Sequence, residues 1–250
     1  METTPFPLGI LINAFVTSVV SATAFAFVLF LTRRWRQLSP AMRSYAVFWL
    51  ATSVLWAAVT IRYLLVIFGY AGQQFHFVNE FMVETAVFSS GVALYFYLGM
   101  QLFNSIRKAL ALTSLGLLAM VAGLWQFLLP GGFHPGIVTA FTADPVPSIR
   151  FLAIFGSSAS LAMLLLIRHI FITLKAWRGQ PIGTFPYALL YSLSLIIYVT
   201  LGVIDQMKIL IDWPLVIFRI LYTAVFLFAY LVLTTEEEQR QNYLQQKTVS

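Results

Sequence analysis

Cysteine is absent from this chain, histidine occurs only three times, and Asp, Glu, Lys and Arg together make up 10% of it. Without cysteine there is no disulfide framework and no thiolate metal centre. With so few charges, the chain cannot clothe a soluble domain in polar side chains. No Walker loop, HExxH sequence or Ser-His-Asp constellation is present, which removes the usual signatures of phosphoryl transfer, zinc proteolysis and acyl transfer. A retinal Schiff base would need a lysine in the last apolar run, and residues 214–234 contain none. Nor do the histidines supply a facing pair for haem, because His169 falls near one end of its run while His76 and His134 fall at the other. No cofactor is therefore expected.

Apolar residues fill the space that these absences leave. The chain is 60% hydrophobic and 16% aromatic, with a mean hydropathy of +0.86. Windows of ~20 apolar residues mark membrane spans near 8–31, 44–68, 76–103, 109–129, 149–174, 185–209 and 213–234. The expected fold class is all-α, a polytopic seven-transmembrane helix bundle. Residues 1–235 form the membrane domain and 236–250 a short helical tail. Met1 to Gly9 has no Lys or Arg ahead of the first run, and that run is too long for a signal-peptide core, so span one is expected to be retained.

Basic residues set the expected orientation, since cytoplasmic connections retain them. Eleven of the fifteen lie in alternate connections: Arg33, Arg34, Arg36, Arg43, Arg107, Lys108, Arg168, Lys175, Arg178, Arg240 and Lys247. Only Arg150 and Lys208 fall on the other side. This predicts an outside N-terminus, a cytoplasmic C-terminus and a multi-pass protein of the cell membrane. The net charge of +6 is divided among short connections, so lipids are the expected partners and nucleic acid is not.

The longest outer link, 129–149, contains four prolines and three glycines in two clusters and reads as an irregular lid. Small residues at Ser89-Ser90-Gly91 and Gly156-Ser157-Ser158-Ala159-Ser160 suit close helix packing in lipid. Trp35, Trp177 and Trp213, near span ends, read as interfacial anchors. His169 beside Arg168 reads as a headgroup-level residue.

Ionisable residues at membrane depth need a separate explanation. Arg62, Glu80, Glu84, Asp205 and Arg219 would each cost ~2.5–3.5 kcal/mol at the bilayer centre. Counted from the span ends, all five fall within ~6–12 Å of the outer boundary. Five charges from four helices thus share one layer, which predicts a polar pocket for a ligand or ion beneath the lid. The competing expectation is an ion-pair network that only fixes helix order. His76, Glu80 and Glu84 recur every four residues on one face, a set able to ligate Zn, Mn or Fe, with Asp205 or His134 completing the shell. Eight residues span ~12 Å, however, so a single ion could reach only an adjacent pair such as His76 and Glu80.

Several features together resemble one family. The basic first inner loop Thr32-Arg33-Arg34-Trp35-Arg36, the aromatic run Phe48-Trp49-Leu50-Ala51-Thr52-Ser53-Val54-Leu55-Trp56 leading to Tyr63, and the acidic, Gln-rich tail Glu236-Glu237-Glu238-Gln239 are similar to the N-terminal seven-transmembrane sensor region of bacterial histidine kinases and diguanylate cyclases. The resemblance spans most of residues 8–240. It implies outside-to-inside signalling in a bacterial inner membrane. In that family the last helix runs into PAS, kinase or cyclase domains, whereas this chain ends sixteen residues after Thr234. The expectation is therefore a sensor or receptor-like transducer, not an enzyme, with a separate cytoplasmic signalling protein as its output. A proton-coupled or small-molecule transporter is the alternative, and a metal-dependent membrane enzyme comes third.

Overall fold

The computed structural model of the chain describes residues 8–69, 73–130, 133–178 and 186–249, with the backbone alone for 73–75, 133–138 and 240–249. Seven helices are long and apolar enough to cross a membrane. They are α1 (Leu8–Arg33), α2 (Pro40–Ile67), α3 (Gln73–Phe103), α4 (Ile106–Leu128), α5 (Ile149–Trp177), α6 (Tyr187–Gln206) and α7 (Asp212–Val249). The protein is an all-α seven-helix bundle. Its spans fall where hydropathy places them, with ends set by local chemistry. For example, α2 starts at Pro40 because Ser39 caps it, its hydroxyl accepting from the Met42 amide at 3.3 Å, and proline suits the first turn. Ser148 caps α5 in the same way through the Phe151 amide.

The 129–149 link departs from expectation. Instead of an irregular lid it forms an antiparallel hairpin of β1 (Phe133–Val138) and β2 (Ala143–Pro147). The prolines are accommodated rather than disruptive. Pro135 and Gly136 occupy the register shift between His134 and Ile137, and a two-stranded hairpin has free edges where Pro145 and Pro147 need donate no ladder bond. The turn is closed by Thr139, whose amide donates to the Thr142 carbonyl and whose hydroxyl accepts from the amides of Phe141 and Thr142.

Helix α2 is the central post. Tyr45, Trp49, Trp56 and Tyr63 are all fully buried along it. Trp49 packs edge-on against Phe27 of α1, Tyr198 of α6 and its neighbour Phe48, and tilts against Phe226 of α7. Between α3 and α4 the contact is made by glycine. A Cβ on Gly99 would lie 2.5 Å from the Ala109 backbone, one on Gly116 would meet the Tyr95 ring, and one on Gly123 would meet the Phe88 ring. The small residues singled out in the sequence behave differently. Gly91 and Gly156 have open space where a side chain would be, although the Ser158 carbonyl does accept from Tyr95.

Packing is uneven around the post. In α1, α2, α3 and α7, 44–56% of the most apolar window is buried, against 22% in α4 and 17% in α5. The last two therefore present most of their surface outward, as spans facing lipid do. Buried His169 sits on the inner side of α5 with no hydrogen-bond partner for Nε2, so it is not the interfacial residue that its basic neighbours suggest. The His134 side chain, Arg240 and Lys247 lie outside the residues whose side chains are described.

Candidate functional site: a buried charge layer beneath the hairpin

Asp144, on β2, organises the charge layer. Its Oδ1 accepts from Arg62 Nη1 at 2.8 Å and its Oδ2 from Arg219 Nη2 at 2.6 Å. One carboxylate from the hairpin thus joins α2 to α7. The second branch of Arg62 pairs with Glu80 of α3, and its Nε donates to Asn79 at 3.2 Å. All five side chains are buried. Burial pushes the Asp144 carboxyl up, but Arg219, Lys208 and Arg62 outweigh that effect and hold it well below the usual carboxylate range.

Neutral side chains complete the layer. The Tyr63 hydroxyl donates to Asp144 and accepts from Asn13 and Arg219. Asn13 bridges in both directions, taking a bond from Arg219 Nη1 at 2.9 Å and giving one to the Phe141 carbonyl at 2.8 Å. Asn79 is fixed by its bond to the Ala58 carbonyl. Each guanidinium therefore keeps several of its donors satisfied, as a charge taken out of water requires.

The hairpin also grips the start of α7. Thr139 donates to the Asp212 carboxylate at 2.6 Å, and the Asp212 amide donates back to Thr142 Oγ1 at 3.2 Å. Phe141 packs at a tilt against Trp213, ring centroids 4.7 Å apart, and lies on Gly9 of α1 so tightly that a Cβ there would collide. Lid, α1 and α7 are consequently one mechanical unit at this end.

Four of the five expected residues share this region as pairs or near-pairs. Arg62, Glu80 and Arg219 are at its centre, and Asp205 lies 3.8 Å from Arg219, too long for a direct hydrogen bond. Glu84 is the exception: it is buried, its Oε2 has no hydrogen-bond partner, and it shares with Glu80 a void of about 10 Å³ under Pro145 and Pro147. That is room for about one water. Sequence reasoning missed Asp144, Asn13, Tyr63 and Asn79. The available signal for Asp144 was positional, an aspartate followed by Pro145 and Pro147 in the link expected to lie over Arg62 and Arg219.

Of the residues singled out as metal ligands, Glu80 is engaged by the Arg62 guanidinium. Among the described residues no group of three or more His, Asp or Glu is gathered to hold an ion. His76 is half-buried and outside the ion pairs of the layer.

Beneath the charges, a slot of about 110 Å³ runs between α2, α3, α5, α6 and α7. Arg62, Glu80, Asp205, Lys208 and Arg219 line one end, and mainly apolar and aromatic residues, with Ser90 and Ser158 among them, line the rest. At the opposite end of the bundle α7 is held again: Glu237 pairs with Arg34 in the first connection, and Tyr191 of α6 donates to Glu236. No protein-family profile matches this chain, and neither does any curated protein.

Proposed function

We propose that the protein is a multi-pass cell-membrane sensor in which the charge layer lies in the outer half of the bundle and α7 carries its state to a cytoplasmic tail. The supporting observation is the double anchorage of α7. At one end it is bound to the hairpin through Asp212 and to Asp144 through Arg219. It then runs as one unbroken helix to Val249 and is held at the other end through Glu236 and Glu237. A ligand or ion that altered the pairing around Asp144 would act on α7 directly, and a shift of α7 would strain the distal contacts. A separate cytoplasmic signalling protein would read the tail, the output implied by the resemblance to kinase and cyclase sensor regions.

A coupling experiment tests this reading without a known ligand. A spin label at Gln239 reports tail mobility in wild type and in Asp212→Ala, which removes the side-chain bond from Thr139 to the start of α7. Increased mobility at Gln239 is expected in the variant. Unchanged mobility sinks the transducer reading and moves a carrier to first place, because Glu80 and Glu84 side by side at a water-sized void are what a proton-coupled carrier needs. Proton flux into reconstituted vesicles then decides for or against the carrier. Reporter fusions check the orientation: cytoplasmic reporters placed after Ser39, Arg107 or Arg178 are expected to be active, and those after Gly72 or Ala143 inactive.

A further inference from the structure

The slot under the charge layer has a shape and a chemical gradient that select a ligand class. Its lining on α2 runs from Arg62 to Phe48 and on α3 from Glu80 to Leu94, roughly 21 Å of helix rise in each case. The space open to the centre of a water-sized sphere, about 110 Å³ over that length, makes the slot a narrow one. It admits an extended chain and excludes a bulky polar solute. The far portion is lined by Trp56, Tyr198, Leu94, Phe155 and Ala162, with no charged group among them.

The charged end still has unused donors. Lys208 lines it and makes no ion pair among the described residues. Arg219 also lines it, with its side chain 1% exposed and its Nε without a hydrogen-bond partner. Against these two cationic donors stands one unpartnered acceptor, Asp205 Oδ1. Two glycines on the wall, Gly91 and Gly202, have nothing within 4 Å of the position a Cβ would take. Gly99 and Gly123 serve close contact between α3 and α4, whereas Gly91 and Gly202 leave the slot open.

Resting on the sensor reading above, we infer that the slot binds a single-chain amphiphile with an anionic head, the head at Lys208 and Arg219 and the apolar chain extending along Trp56 and Tyr198 towards Leu94. A free long-chain carboxylate and a lysophospholipid with an anionic headgroup share this chemistry.

Trp56 provides the readout, since bromine on a bound chain quenches an indole that it touches. Purified protein in phosphatidylcholine nanodiscs would be titrated with dibrominated stearate, a brominated lysophosphatidate, the matching brominated alcohol, and butyrate. Saturable quenching by one or both anionic chains is expected, lost in Trp56→Phe, and which of the two saturates at lower concentration identifies the source. Butyrate should not compete. Lys208→Gln should weaken the anionic chains about tenfold, the scale of one charge-assisted contact, and leave the alcohol unaffected. Gly202→Leu should abolish saturable quenching at wild-type melting temperature. Gly91→Leu serves the same purpose from the opposite wall if that variant fails to fold.

Quenching that is unsaturable, or equal in wild type and both plugged variants, reports bromine in the bilayer and overturns the inference. So does an alcohol that binds as tightly as the carboxylate. The Gln239 label separates the two readings. Saturable binding with a silent tail keeps the amphiphile site and removes the sensor. A tail that responds to Asp212→Ala while no chain binds does the reverse.

Discussion

Two ion-paired regions hold α7, and they differ in almost every physical respect. At the hairpin end, the Arg62, Glu80, Asp144 and Arg219 side chains are 1–8% exposed and linked into one network. At the tail end, Arg34 and Glu237 are 33% and 28% exposed and form a single pair. A buried pair is held by the penalty of stranding a charge when its partner goes, about 3–5 kcal/mol. An exposed pair is worth ~0–1 kcal/mol and is screened by salt. One end of the helix is therefore firmly fixed and the other more weakly held, by this pair and the Tyr191–Glu236 bond, the asymmetry a helix needs if its tail is to be the part that moves.

The largest expected effect comes from breaking the fixed end. Asp144→Ala leaves two buried guanidiniums short of a counter-charge, and loss of about 3–5 kcal/mol is expected, seen as a large fall in melting temperature. Arg219→Lys should lose less than Arg219→Ala, because the charge survives while the fork that reaches Asp144 and Asn13 does not. Wild-type melting of Arg219→Ala would show that the layer is wet and contributes little.

Acid should erase this difference between the two ends. The Asp144 carboxyl is held below its ordinary value, so its contribution is fully present above the unfolded pKa of about 3.9 and is lost as pH falls towards the lower folded value. The stability gap between wild type and Asp144→Asn should accordingly be constant from pH 7 to about 5 and narrow below pH ~4. A gap that widens in acid would contradict the assignment of an ionised Asp144.

Glu84 gives a smaller effect of a different kind. Its Oε2 has no hydrogen bond to lose, and glutamine is nearly isosteric, so Glu84→Gln should melt within about 1 kcal/mol of wild type. If the layer senses a ligand or proton, the same variant should lose any response of the Gln239 label. A drop in stability with no separate loss of response would assign Glu84 a structural role only. The smallest effect is expected from Arg34→Ala, below about 1 kcal/mol, with faster motion at Gln239 that wild type reproduces at high salt.

The two kinds of packing explain what could be read from the sequence. Spans are legible because hydropathy over a window is a local property, and the five intramembrane charges are legible because each is costly wherever it points. What each charge pairs with is not local. Asp144 reaches Arg62 and Arg219 across 82 and 75 residues, and the two prolines that follow it read as loop punctuation until the hairpin gives them edge positions. The glycines show the same limit. Gly91 sits in a small-residue run suited to helix contact yet faces the slot, while Gly116 and Gly123, with no such run, carry the α3–α4 contact. Spacing can mark a face as small, but only the neighbouring helix decides whether anything fills it.

The sequence separations within the charge layer also bear on how the chain enters a membrane during synthesis. Arg62 and Glu80 are 18 residues apart on consecutive spans, so they can neutralise each other as one helical hairpin while the rest of the chain is still unmade. Asp144 then arrives in a connection, without having to cross. Arg219, in the final span, enters last and meets a carboxylate already in position. Each of these four charges thus has a partner by the time it must leave water, which lowers the cost of bringing them into hydrocarbon span by span.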